Sequence, residues 1–167
     1  MPVQAAPRNV ERTYYAIAGV YTLSASLIWG VNTMFLLGAG LSLMQAFLAN
    51  ALFTGSMALF EVPTGIVADT RGRRASFLLS VSLLIIGTLA YVAVGKFGGG
   101  MNGIIAASVV LGLGYTFYSG AVEAWLVDAL RATGDDGPVD RVLARGSAIS
   151  SIAMLVGSVS GGLLGAI

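Results

Sequence analysis

Between Glu61 and Arg74 the sequence reads "EVPTGIVADTRGRR", and most of its potential chemistry is gathered there. Asp69, Arg71, Arg73 and Arg74 crowd around Gly72. Glu61 stands eight residues before Asp69, and Glu123 and Asp128 follow further along the chain. These residue types can do two things. Opposite charges at close spacing can form an ion-pair network. An isolated carboxyl group can take up and release a proton. The chain has no Cys and no His. A Cys or His nucleophile or base, a Cys/His metal set and a disulfide are therefore excluded. With no nucleophile–base pair in sight, an intramembrane enzyme is the weakest of the functional classes, and neither cofactor nor metal is expected.

The elements that must hold these charges are apolar. Only 10% of the residues are charged, against about 25% in an average soluble domain, and 56% are hydrophobic. No Asp, Glu, Lys or Arg occurs in residues 13–60, 75–95, 97–122 or 146–167. About 20 apolar residues span a bilayer as a helix, so the pattern predicts an all-α, polytopic membrane protein. A soluble helical bundle would need polar outer faces, which these segments lack. Five spans follow: 14–38, 44–67, 75–95, 103–130 and 142–167, after a polar tail at 1–13. The first span is retained rather than cleaved, being longer than a signal-peptide core. Gly98, Gly100 and Gly103 satisfy G-x-G-x-x-G, but no strand precedes them, so a turn is expected there and not a dinucleotide site. A net charge of +1 offers nothing to nucleic acid.

Orientation follows from the basic residues. Arg8, Arg12, Arg71, Arg73, Arg74, Arg131, Arg141 and Arg145 fall on one side of the five-span path and only Lys96 on the other. The positive-inside rule then predicts a cytoplasmic N-terminus in a cell membrane. An odd span count ending at Ile167 without a polar tail predicts a truncated chain, with a sixth helix and a second half absent.

Helical periodicity groups the polar residues. Glu61 shares a stripe with Asn50, Thr54, Met57 and Gly65, and Pro63 predicts a bend beside it. Thr116, Ser119 and Glu123 fall on one side of the fourth span. Tyr21 and Asn32 mark one face of the first span, Trp29 the adjoining face. An aromatic, polar wall with a carboxylate suits amphipathic or cationic small molecules. Each carboxylate also admits a purely structural role, as a hydrogen-bonded strut between helices. Gly157, Gly161 and Gly165 repeat every four residues, the spacing of a close helix contact.

The segment 65–74, G-x-x-A-D-x-x-G-R-R, resembles the loop between helices 2 and 3 of the major facilitator superfamily. Gly65, Ala68, Asp69, Gly72, Arg73 and Arg74 carry the match, while Val67 and Thr70 depart from the common Leu and Arg. The flank "FEVPTG" and the later "YSGAVEAWLVDAL" resemble a bacterial, drug-efflux-like branch. The resemblance implies helices 1–5 of a twelve-helix secondary transporter. It implies that Asp69, Arg73 and Asp128 form a charge latch between access states, with helices 1 and 4 lining a cavity, helices 2 and 5 meeting the other half, and helix 3 peripheral. It also implies a small-molecule substrate, protons as the coupling ion, and Glu123 before Glu61 as the carrier. Uptake of a nutrient, or a non-transporting fragment that pairs with a second half, are the alternatives. Antiporters of the superfamily carry Pro where this chain has Gly162 and Gly where it has Ala166, a departure that favours plain packing between the halves for this stretch.

Overall fold

The structure, a computed structural model, describes residues 7–134 and 137–165. Within these residues the fold is all-helical, with α1 (Pro7–Gly38), α2 (Leu43–Arg71), α3 (Arg73–Phe97), α4 (Gly100–Ala132) and α5 (Val139–Leu164). All five are long and apolar enough to cross a membrane. Ala166 and the first six residues of the expected tail lie outside the described residues.

Helix boundaries explain themselves locally. Pro7, whose fixed φ suits a first helical position, starts α1 seven residues before the hydrophobic span, so the rest of the tail is helical. Ser42 caps α2 in a reciprocal capping box: Gln45 N–H donates to Ser42 Oγ at 3.3 Å, and Ser42 N–H donates to Gln45 Oε1 at 2.8 Å. Gly98, at φ 77°, ends α3 in the left-handed region. The connections are shorter than sequence spacing suggests, because polar residues at span ends continue the helices. Asp69, Thr70 and Arg71 extend α2, and Gly72 alone separates it from α3.

The chain forms two compact units. One holds α1 up to Met34, the end of α4 from Trp125, and α5. Here α1 and α5 run parallel and meet at small residues. Gly146 abuts the Tyr14 ring, Gly157 abuts Ser26 and the Leu23 carbonyl, and Gly161 abuts the Leu27 backbone. Gly165 abuts Val31. The three glycines spaced by four thus lie against a helix of the same chain.

The other unit is residues 35–124. Its hydrophobic core is Leu36, Leu41, Ala46, Ala49, Tyr91, Ile104 and Ala107, with Phe35 stacked on Tyr91 at 5.7 Å between centroids. Helix α4 is the centre of this unit. On one side Gly112 receives Ser56 and the Phe53 carbonyl of α2, and Phe53 meets Tyr115 edge-on at 5.3 Å. On the other, two buried hydroxyls of α3 donate to α4 carbonyls: Ser80 to Gly114 at 2.7 Å and Ser76 to Phe117 at 3.4 Å. The buried side of α3 is Ser76, Ser80, Gly87 and Tyr91. Its opposite side exposes Leu78, Ile85, Ile86, Leu89 and Val92, a surface suited to lipid.

Candidate functional site

The charge cluster is built on a one-residue corner. Gly72 takes φ 90°, a conformation open to glycine and costly for other residues, so α3 can begin directly after α2 ends. This brings the last turn of α2 beside the first residue of α3. Arg73 Nη1 donates to Asp69 Oδ1 at 2.6 Å. The guanidinium is 29% exposed and the carboxylate 68%, so the pair is worth about 0–1 kcal/mol. That is a weak, solvent-screened contact rather than a fixed bond. Arg73 and Arg74 occupy the N-terminus of α3, where the helix dipole disfavours cations, and no side chain caps that end. Asp69 offsets this for Arg73, while Arg74 is exposed.

Other members of the sequence motif have distinct environments. Ala68 is 2% exposed. A methyl added at Gly65 would meet nothing within 4 Å, so Gly65 is not required by packing inside this unit. Asp128 is exposed on α4 and belongs to the other unit.

The two deeper carboxylates, Glu61 and Glu123, are both exposed in the unit formed by residues 35–124. Along α4, Gly112 and Thr116 are enclosed, and Ser119 and Glu123 reach the surface. Thr116 donates to Leu113 O at 2.8 Å and Ser119 to Thr116 O at 3.2 Å. Both hydroxyls are thus satisfied within their own helix, and Glu123 is the free-standing polar group of this stripe. On α2, Thr54 and Glu61 are exposed, with Asn50, Met57 and Gly65 half-buried. In the unit that holds α1, Trp29 is 46% exposed, and Tyr21 and Asn32 are half-buried. Among the described residues no group of three acidic side chains could hold a metal ion.

Sequence reasoning passed over the hydroxyls that seat the charged corner and the carboxylates. Ser76 and Ser80 tie the start of α3 to α4, and Thr64 is 3% exposed beside Glu61. Their signal was the spacing Ser76, Ser80, Gly87, Tyr91, one helical stripe hidden in a segment that is otherwise continuously apolar.

Compared with family models, with curated proteins and with solved structures, the chain matches none of them.

Proposed function

We propose that the chain forms the first five helices of a secondary transporter of the major facilitator type, one that exports small amphipathic molecules in exchange for protons. The observation that carries this reading is the Asp69–Arg73 ion pair spanning a single-glycine corner between two membrane-length helices. The residues that make the corner are those of the resembling motif: Asp69 and Arg73 supply the charges, Gly72 the φ, Ala68 the close packing. Two further observations support it. The outer face of α3 exposes Leu78, Ile85, Ile86, Leu89 and Val92, as a peripheral helix requires, whereas α2 exposes a carboxylate at Glu61 among apolar neighbours. A charge near the bilayer centre costs about 2.5–3.5 kcal/mol on insertion scales, so such groups line cavities or meet partners.

In this reading the N-terminus and the Gly72 corner are cytoplasmic, by the eight-to-one basic split. Asp69 and Arg73 form the latch pair, and its modest strength lets two access states remain close in energy. Glu123 carries the proton on a cavity wall shared with Ser119 of the same helix. Binding lies between this bundle and a second one, with access alternating by rocking.

The test is flux in liposomes, with the whole transporter and an imposed pH gradient. Asp69→Asn and Arg73→Ala should insert normally and transport more slowly. Glu123→Gln keeps shape and hydrogen bonding but cannot carry a proton, so it should lose gradient-driven flux. Full flux in all three variants would remove both the latch and the carrier.

A further inference from the structure

Helix α2 contains Pro63 in its interior yet runs unbroken from Leu43 to Arg71. Proline lacks an N–H, so the carbonyl four residues earlier, on Leu59, loses its helical donor, and the ring crowds the same carbonyl. The next residue bonds the neighbouring carbonyls instead. The Thr64 hydroxyl donates to both Phe60 O at 2.8 Å and Glu61 O at 3.1 Å. Threonine back-bonding of this kind bends helices, and here it holds two carbonyls on the turn that proline weakens.

The surroundings of α2 differ on the two sides of the proline. Before the proline, Ser56 and Phe53 are seated on α4 at Gly112 and Tyr115. At the proline the outer side is open: Val62 is 72% exposed and Ile66 58%, and Gly65 has no neighbour within 4 Å of an added methyl. Beyond it, Ala68 is buried, and α2 ends at the one-residue Gly72 link, spanned by the Asp69–Arg73 pair.

We propose that Pro63 and Thr64 form a hinge in α2, with the Thr64 hydroxyl as its clasp, so that residues 65–71 change angle against residues 43–60 as one piece. Glu61 sits on the pivot and lends its own carbonyl to the clasp. Movement of the hinge therefore shifts the Glu61 backbone and the Asp69 side chain together. The hinge belongs to α2 alone and does not depend on the transport reading.

The chain is free of cysteine, so two introduced cysteines can carry spin labels. Met44 and Thr70 are exposed near the two ends of α2. They are 26 residues apart, about 39 Å in a straight helix at 1.5 Å per residue. Label distances are measured in lipid nanodiscs with the full-length protein. The parent should give two populations or one broad distribution. Pro63→Ala, which restores the missing N–H, should give a single narrow distance near the straight-helix value. Thr64→Val, which keeps the shape without the hydroxyl, should shift the ratio of populations about threefold, the worth of one weak intramembrane hydrogen bond. Thr64→Ser should match the parent. A Pro63→Ala distribution identical to the parent's overturns the hinge. If Pro63→Ala does not insert, Thr64→Val against Thr64→Ser decides: identical distributions for the two overturn the clasp.

Discussion

At Gly30 and Gly161 helices α1 and α5 meet backbone to backbone, whereas α3 and α4 meet through side chains laid on glycine. At Gly161 an added methyl would run into Leu27, with its carbonyl carbon at 2.9 Å and its Cα at 3.0 Å; at Gly30 it would meet Gly162 N at 2.9 Å. At Gly87 the obstacle is the end of a side chain, Leu111 Cδ2 at 2.9 Å, and at Gly114 it is Leu84 Cγ at 2.9 Å. Between membrane helices there is no hydrophobic drive to association, because lipid tails are as apolar as leucine. Close contact must come from dispersion and weak Cα–H···O bonds, which need the backbones to approach. The α1–α5 contact uses glycine for that approach, and a backbone cannot step aside without moving its helix. The α3–α4 contact uses glycine as a socket and adds two hydroxyl–carbonyl bonds. A leucine in a socket can change rotamer.

The largest effect should therefore fall on the α1–α5 contact. Gly161→Ala is expected to cost about 1–3 kcal/mol, the range for overpacking a tight interior, read as a lower unfolding midpoint in mixed detergent micelles. Gly30→Ala should do the same, and the double variant should cost less than the sum, since either methyl alone already separates the helices. An unchanged midpoint for Gly161→Ala would break the contrast. In the α3–α4 contact Gly87→Ala should cost less, about 0.5–1.5 kcal/mol, the price of moving Leu111 off its preferred rotamer. If Gly87→Ala proves as damaging as Gly161→Ala, the socket is as rigid as the backbone contact.

A smaller effect belongs to the hydroxyls. Ser80→Ala should cost about 0.6 kcal/mol, the average for hydrogen bonds between membrane helices. Ser76→Ala should cost less, its bond to Phe117 O being longer at 3.4 Å. A Ser76→Ala loss larger than that of Ser80→Ala would mean that something other than bond length sets the worth of these contacts.

The same contrast explains what the sequence disclosed. The α5 glycines were legible because spacing by four on an apolar segment has few other uses, and the all-α membrane fold because charge-free runs have fewer still. The partner of those glycines was not legible: they lie against α1 of this chain, and periodicity names a face without naming what covers it. Ser76 and Ser80 were passed over because composition made α3 a uniformly apolar helix, and two serines among leucines leave the average almost unchanged. The corner at Gly72 was legible in its residues, yet not in its brevity. Sequence spacing set the charged stretch aside as a loop, whereas Asp69, Thr70 and Arg71 stay helical, since polar residues at a membrane surface give no reason to stop a helix that water can solvate.

The smallest effect on stability, and the most informative, is expected at Gly65. Its surroundings differ from every glycine in the two contacts, because an added methyl there meets nothing within 4 Å. Gly65→Ala should leave stability unchanged or raise it by about 0.4–1 kcal/mol, through the loss of unfolded-state freedom, read from the unfolding midpoint. Flux separates the remaining roles. If a second bundle approaches α2 at this bare backbone, the alanine variant should fold at least as well as the parent and transport less, as Gly161→Ala cannot do without also losing stability. If folding and flux both match the parent, Gly65 serves neither contact nor motion, and the meeting face of α2 must be sought around Thr54 and Glu61 instead. A loss of stability at Gly65 would contradict the open space on that side of α2, and with it the distinction between glycines that are packed and glycines that wait for a partner.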